Sequence, residues 1–126
     1  MPHEDGGAYY PVVATVSLGG TLVLDVSAKG GAESSAESKR WRVLQEPRSL
    51  LLTTGEAYTE TLHGIAEVRE DRDLGEGTVA NWGLLADAET VVGNEGINER
   101  TTRISLTYRD VKKVSNVGSK IFGKPR

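Results

Sequence analysis

The pattern of apolar and polar positions predicts a chain built mainly of β-strands. The stretch YYPVVATVSLGG at residues 9–20 is rich in β-branched residues, and TLVLDVSA at 21–28 follows it directly. The Gly19-Gly20 pair between these two apolar runs predicts a hairpin that joins them. Further strands are predicted at 41–46, 49–54 and 101–111. After a turn, an apolar segment covers 62–68.

Short strands that follow one another without long helices between them favour an antiparallel sandwich or barrel. Two stretches interrupt the strands, because they are rich in glycine and in polar or charged residues: 28–40 and 71–100. We expect both to be loop insertions, the second with a short helix near Leu84 to Glu89. The sequence therefore predicts one mainly-β domain over residues 1–126 with two long loops.

Composition narrows the function classes. The chain has 126 residues, 37% of them hydrophobic and 26% charged, which is typical of one soluble globular domain. The net charge of −3 differs from the basic excess of most nucleic-acid-binding domains. The absence of cysteine excludes disulfides, thiolate metal ligands and a cysteine nucleophile, and it agrees with an intracellular location. No apolar run approaches the roughly 20 residues that cross a bilayer.

Two features leave a nucleic-acid contact open. Basic residues crowd the tail at 112–126, where they either form a solvated chain end or contact phosphates. Tyr9, Tyr10 and Trp82 are aromatic residues that either stack on a base or belong to the hydrophobic core. Ile121 and Phe122, the apolar pair in the tail, are expected to dock on the barrel.

The chain holds only two histidines, His3 and His63, and the first belongs to a His3-x-Asp5 pair. A His-x-Asp triplet alone is most often a surface turn, and a lone histidine after an apolar stretch is most often a boundary residue. Two histidines and one carboxylate are, however, the ligand set of non-haem Fe(II) oxygenases, which leave the other metal positions open. The pattern is a candidate metal site.

A strongly alternating stretch, RISLTYR, adds a second signal. Because a strand has a period of two, Arg103, Ser105, Thr107 and Arg109 share one face and the apolar residues share the other. Two arginines on one face suit a pocket that holds a dicarboxylate, since guanidinium groups bind carboxylates bidentately. The alternative is an exposed edge strand with a solvated polar face.

Taken together, these motifs resemble the AlkB family of Fe(II)- and 2-oxoglutarate-dependent dioxygenases. The family pattern is HxD, then a distant H, then RxNxTxR, and this chain carries His3-x-Asp5, His63 and Arg103-x-Ser105-x-Thr107-x-Arg109. The stretches MPHEDGGAYYPVVATVSLGGTLVLD, EPRSLLLTTGEAYTETLHGI and TRISLTYRDV resemble the branch called AlkB homologue six. The resemblance implies a double-stranded β-helix, or jelly-roll, core.

The resemblance also implies residue roles. His3, Asp5 and His63 would ligate Fe(II), Arg103 would pair with the distal carboxylate of 2-oxoglutarate, and Arg109 would lie nearer the metal. Thr107 would hydrogen-bond within the pocket. Ser105 stands where the family usually has Asn, which puts the cosubstrate contact at that position in doubt. No side chain is assigned as a catalytic acid or base, because the oxidation takes place at the metal.

The implied reaction uses 2-oxoglutarate and O₂ to hydroxylate or dealkylate an N-alkylated nucleobase or a protein side chain, in the nucleus or the cytoplasm. The alternative function is a non-catalytic jelly-roll module for binding or interaction. The resemblance further implies a domain that begins upstream of HxD, so we expect a jelly roll that is incomplete at its N-terminus. Weak Fe(II) binding and little turnover are the expected consequences. The substrate and the oligomeric state do not follow from these residues.

Overall fold

The computed structural model describes residues 2–30 and 39–112, and within these ranges the chain is mainly β-structure, which confirms the predicted fold class. Two short α-helices and a 3₁₀ turn at Trp82–Leu84 account for the regular helical structure described. The strands are β1 (Tyr9–Gly19), β2 (Leu22–Ala28), β3 (Arg40–Gln45), β4 (Ser49–Thr54), β5 (Thr61–Gly64), β6 (Glu70–Asp71), β7 (Asn98–Glu99) and β8 (Arg103–Val111). The helices are α1 (Gly55–Thr59) and α2 (Ala88–Gly93).

Six of the strands form two antiparallel sheets. Sheet I has the order β4-β1-β8, and sheet II has the order β3-β2-β5. The two sheets enclose a cavity that residues from both of them line. This arrangement is consistent with a jelly-roll core. The remaining pair, β6 and β7, closes the base of the second long loop.

The hairpin predicted at Gly19-Gly20 is wrong, because β1 and β2 belong to different sheets. The two glycines instead let the chain pass from one sheet to the other against residues 101–102. A Cβ atom on Gly20 would lie 2.4 Å from Thr101 Oγ1 and 2.9 Å from Thr101 O, so that no side chain fits there. Gly20 N–H donates to Thr102 O at 2.8 Å, and Gly19 adopts a φ of 79°.

The loop predicted at 71–100 is packed against the outer face of sheet II. Val23 and Leu44 of that sheet share a buried cluster with Leu74 and Val79 of the loop, and Trp82 packs against it. The burial of Val23 and of cavity-facing Leu24 explains why consecutive apolar residues occur in β2, since both faces of the sheet are covered. The loop helix begins at Ala88, later than the predicted Leu84.

Asn81 covers the edge of sheet II. Its side-chain amide donates to Leu44 O at 2.8 Å and accepts from Leu44 N–H at 2.9 Å, and so imitates a neighbouring strand. Ala80 N–H donates to Arg42 O at 2.8 Å beside it. An edge strand needs such partners, because unpaired backbone groups are a template for association with another chain.

A buried ion pair ties the two ends of the same loop together. Arg100 holds Asp71 through two hydrogen bonds, Nη2 to Oδ1 at 2.6 Å and Nε to Oδ2 at 3.1 Å. Their side chains are only 13% and 3% exposed. Asn98 Nδ2 donates to Asp71 Oδ2 at 3.0 Å and to Thr21 O at 2.8 Å, which anchors the clamp to the start of sheet II.

The outer face of sheet I is apolar and exposed. Ile104, Leu106 and Tyr108 of β8 are 57%, 42% and 60% exposed, and Leu50 and Leu52 of β4 are 64% and 57% exposed. The strand register brings Leu50, Val16 and Leu106 side by side across the three strands. In sheet I the polar positions of β8 therefore face the interior and the apolar positions face outward.

Three sequence predictions fall wholly or mostly outside the described residues. They are the loop at 28–40, of which 31–38 are not described, the solvated or phosphate-contacting basic tail at 112–126, of which 113–126 are not described, and the docking of Ile121 and Phe122. Within the described ranges, no helix has the length and apolar character needed to cross a membrane.

Replacing Asp71 by Asn is expected to lower the free energy of unfolding by about 3 kcal/mol, because it leaves the buried Arg100 without its counter-charge. Chemical denaturation monitored by tryptophan fluorescence measures the change. The matched control is Glu70→Gln, whose ion pair with Arg72 is exposed and contributes about 0–1 kcal/mol. Equal losses in the two variants would contradict a stabilising role for the clamp.

Candidate functional site

The cavity between the two sheets has a volume of about 850 Å³. Its walls are largely apolar, with Val13 and Leu51 on the side of sheet I and Leu24, Val26 and Val43 on the side of sheet II. A largely apolar cavity with a few polar groups is the usual form of a small-molecule site.

β8 supplies the polar wall. Arg103, Ser105, Thr107 and Arg109 all line the cavity, as the period of two predicts. β8 is also an edge strand of sheet I, and on it Ser105, Thr107 and Arg109 are exposed. The two arginines stand near opposite ends of the strand, roughly 20 Å apart along it. Each end of the cavity wall therefore carries one guanidinium group.

The N-terminal arm, residues 2–7, runs along the edge of β5. His3 N–H donates to His63 O at 2.8 Å, and His63 N–H donates to His3 O at 3.0 Å, so the two histidines form an isolated antiparallel bridge. Residues bridged in this way have Cα atoms about 5.5 Å apart, with both side chains on the same face. The imidazole centroids are 4.4 Å apart.

Asp5 completes a cluster of three possible metal ligands. Its carboxylate lies with the imidazoles of His3 and His63 so that one ligand atom from each is within 4.8 Å of the others. The structure thus brings together three residues that are separated by up to 60 positions in sequence, all at the wall of the cavity. Their assignment as metal ligands remains a prediction.

The surroundings of His63 favour its neutral form, and a hydrogen bond orients Asp5. Burial, with a further contribution from neighbouring His3, lowers the pKa of His63 below its usual value. The imidazole is therefore neutral at physiological pH, as a metal ligand must be. Arg109 Nη2 donates to Asp5 Oδ1 at 3.1 Å, with the Asp5 side chain only 11% exposed, so this carboxylate is oriented by a positive neighbour.

Two further contacts, which the sequence analysis missed, hold the N-terminal arm. Tyr58 Oη, at the end of α1, donates to Gly6 O at 3.0 Å. Lys29, just after β2, pairs with the Glu4 carboxylate and also donates to Thr59 O at 2.6 Å. Neither contact has a local sequence signal, because each joins residues that are at least 25 positions apart.

The far end of the cavity centres on Arg103, with two partners that the sequence analysis also missed. Arg103 Nη2 donates to Ser17 Oγ at 2.9 Å and to Gln45 Oε1, while Arg103 Nε is buried without a hydrogen-bond partner. Burial lowers the pKa of the Arg103 guanidinium from its usual value. Because a strand has a period of two, Ser17 shares the cavity face of β1 with Val13 and Thr15. This periodicity is the one sequence signal that could have identified Ser17.

The aromatic residues proposed to stack on a base, Tyr9, Tyr10 and Trp82, are not among the residues that line the cavity. Trp82 packs against the core cluster of sheet II, so its predicted stacking role is not supported. Tyr9 lies under Arg109 at 5.6 Å and Tyr10 under Lys112 at 6.0 Å. Trp41, which is 40% exposed, is the aromatic side chain from sheet II that lines the cavity.

Comparison with known proteins identifies curated relatives of this chain. No protein-family model matches the chain. The chain is, however, 36% identical over 125 aligned positions to a zebrafish (Danio rerio) protein described as a probable RNA/DNA demethylase, ALKBH6. The match covers 90% of this chain and 48% of the relative, so the chain spans about half the length of the curated relative it matches.

Replacing Tyr58 by Phe is expected to speed backbone hydrogen exchange at residues 3–7 by about twofold to tenfold, because it removes one neutral hydrogen bond to the N-terminal arm. Exchange measured by mass spectrometry tests this. Tyr108→Phe is the control, since the Tyr108 side chain is 60% exposed on the outer face of sheet I. Unchanged protection of the arm in Tyr58→Phe would show that the hydroxyl does not anchor it.

Proposed function

The chain belongs to the AlkB family, and from that premise we propose that it binds Fe(II) and 2-oxoglutarate and serves the oxidative dealkylation of an N-alkylated nucleobase. One observation carries the proposal: His3, Asp5 and His63 converge at the wall of a cavity that also holds Arg103 and Arg109. Because the chain spans about half of its curated relative, the activity and substrate of a whole protein are part of the proposal.

The three ligand candidates fit a single divalent iron ion. Metal bonds to imidazole nitrogen and carboxylate oxygen are about 2.0–2.2 Å long, so ligand atoms around one ion lie within about 4.4 Å of one another. Three ligands on one face of an ion are at about 90° to one another, which places their atoms about 3 Å apart. The ligand atoms of the three side chains lie within 4.8 Å of one another, and side-chain rotation around a bound ion would bring them closer. Two imidazoles and one carboxylate, with no cysteine in the chain, match the facial triad of non-haem iron oxygenases.

Within this proposal each residue has a separate task. His3, Asp5 and His63 hold the ion, and when bound it supplies, with O₂ and 2-oxoglutarate, the oxidation of a carbon–hydrogen bond. Arg109 occupies Asp5 Oδ1 with a hydrogen bond, which keeps the carboxylate in one orientation and leaves Oδ2 for the ion. The apolar walls formed by Leu24, Val26 and Leu51 reduce the water content around the reacting atoms.

Arg103 is the proposed partner of the distal carboxylate of 2-oxoglutarate. Of the two arginines of β8 that line the cavity, Arg103 is the one that does not pair with Asp5. Among the described residues, no carboxylate forms an ion pair with Arg103. Burial of an uncompensated charge is unfavourable, so binding of an anionic ligand offsets that cost. Thr107, between the two arginines on the cavity face, is placed to hydrogen-bond with a bound cosubstrate.

A nucleobase is the favoured substrate because the relative is described as a probable RNA/DNA demethylase. Trp41 at the cavity is a surface on which a base can stack. A methylated protein side chain is the second substrate class that this chemistry serves. In the proposed reaction one O₂ is consumed for each N-methyl group: one oxygen atom ends in formaldehyde and leaves an N–H group, and the other ends in succinate as 2-oxoglutarate loses CO₂.

The purified chain is expected to bind one Mn(II) or Co(II) ion and to unfold at a higher temperature in its presence. A metal concentration of 100 times Kd adds about 2.7 kcal/mol to the free energy of unfolding. His63→Ala and Asp5→Asn should abolish the shift, while Asp110→Asn, which changes an exposed carboxylate near the end of β8, should retain it. An unfolding temperature that does not respond to metal or 2-oxoglutarate would favour a non-catalytic binding module.

With Fe(II), 2-oxoglutarate and an oligonucleotide carrying N-methylated bases, we expect succinate and formaldehyde in equal amounts. The rate should be low, because His3 is exposed and reaches the sheet through a single bridge. Mass spectrometry of succinate and a formaldehyde assay give the ratio. The controls are the unmethylated oligonucleotide, a methylated lysine peptide and His63→Ala. Formaldehyde from the peptide alone would identify a protein substrate instead.

A further inference from the structure

The end of the cavity around Arg103 contains a buried polar bridge between the two sheets. Ser17 and Gln45 are 1% and 4% exposed, Ser17 in sheet I and Gln45 in sheet II. Ser17 Oγ donates to Gln45 Oε1 at 3.1 Å, and Arg103 Nη2 donates to the same oxygen. Two donors from sheet I thus converge on one carbonyl oxygen that sheet II presents.

These contacts determine the orientation of the Gln45 amide. A guanidinium group only donates hydrogen bonds, so the atom that faces Arg103 must be the amide oxygen and not the nitrogen. That oxygen has two lone pairs, and Ser17 and Arg103 use both. Among the described residues, every side-chain hydrogen bond of Gln45 runs through Oε1, so Nε2 remains available as a donor at the cavity wall.

Arg103 also retains an unused donor. Its Nε is buried and has no hydrogen-bond partner among the described residues. Native structures leave few such groups, because a buried donor without an acceptor costs about 1–3 kcal/mol. The neutral oxygens of Ser17 and Gln45 satisfy Nη2 and do not cancel the positive charge. This end of the cavity therefore presents a positive charge and the hydrogen-bond donor Gln45 Nε2, while Arg103 Nε is buried behind the cavity surface.

We propose that Gln45 is a specificity-determining residue, whose amide selects an ionised carboxylate at the end of the ligand that binds Arg103. Gln45 Oε1 holds the guanidinium in place while Nε2 donates to the ligand. A carboxylate has only acceptors to offer, so it suits the guanidinium charge of Arg103 and the N–H₂ donor of Gln45, whereas a carboxamide is uncharged and can turn its own N–H groups toward them. The inference rests on the proposed function, since it concerns the distal carboxylate of 2-oxoglutarate.

The shortness of Ser105 strengthens the case for Gln45. Ser105 follows Arg103 on the same face of β8, where the related motif has Asn, and its hydroxyl lacks the reach and the N–H₂ group of an amide. Gln45 approaches the same end of the cavity from the opposite sheet. Among the described residues that line the cavity, Gln45 on β3 is the residue that carries a carboxamide.

The test compares 2-oxoglutarate with its 5-amide, 2-oxoglutaramate, by calorimetric titration of the Mn(II)-loaded chain. The wild-type chain is expected to prefer the carboxylate by tenfold or more, about the value of a charge-assisted hydrogen bond. In Gln45→Glu the new carboxylate pairs with Arg103 and repels the carboxylate of 2-oxoglutarate. It accepts a hydrogen bond from the amide of 2-oxoglutaramate. The preference should therefore fall by at least tenfold or invert, while the unfolding temperature of the ligand-free protein stays equal or rises.

The control for this change of amide to acid is Asn94→Asp, an exposed position beyond the cavity, which should keep the wild-type preference. Gln45→Asn, which withdraws the amide by one carbon, should weaken 2-oxoglutarate binding and retain the preference for the carboxylate. If Gln45→Glu binds both ligands with the wild-type ratio, Gln45 is only a structural bridge and the inference is wrong. If the wild-type chain binds neither ligand, the proposed function itself fails.

Discussion

The close contact of Gly19 and Gly20 with residues 101–102 is the constraint on which the rest of the structure depends. At this point the chain leaves sheet I for sheet II, and β8 begins beside the end of β1. The contact sets the register of β8 against β1, in which Gly19 faces Arg103 and Val13 faces Arg109. Because a slip by one residue would exchange the two faces of a strand, this register decides that the polar side of β8 borders the cavity.

The two ends of the cavity are built by different means. At one end, side chains from β5, β8 and the N-terminal arm meet at a sheet edge, where backbone pairing is confined to one bridge and the remaining contacts are single hydrogen bonds and ion pairs. At the other end, the buried residues Ser17 and Gln45 accept hydrogen bonds from Arg103 and so link it to both sheets. Local opening is therefore easier at the His3 end, whereas the Arg103 end is rigid and preorganised.

Sequence patterns predicted the parts of the molecule that depend on periodicity. The strands over Tyr9–Gly19 and Arg103–Val111 have strong β-branched or alternating signals, and the common face of Arg103 and Arg109 follows from the strand period alone. The meeting of His3 with His63 came from a family resemblance, since nothing local to either residue indicates it. Patterns that repeat within one element are thus accessible from sequence.

Partners that meet only in three dimensions were not predictable. Gln45 and Ser17 are 58 and 86 positions from Arg103, and their contact requires the relative position of two sheets. The Gly-Gly pair was misassigned because glycine is equally suited to a tight hairpin and to close passage beside another chain segment. The loop at 71–100 lacks regular periodicity, yet Leu74 and Val79 supply half of the buried cluster of sheet II.

The mutual backbone bridge between His3 and His63 has a consequence for how the site tolerates change in chain length. The spacing of the two imidazoles is set by this bridge, with the contacts of Glu4 and Asp5 beside it, and not by the path between the arm and β1. On that path Gly6 has a φ of 82° and space for a Cβ atom. An added residue beside Gly6 and Gly7 can therefore bulge into solvent without separating the histidines. A shift of the arm by one position along β5 would instead bring Pro2 or Glu4 opposite His63 and turn the first imidazole away.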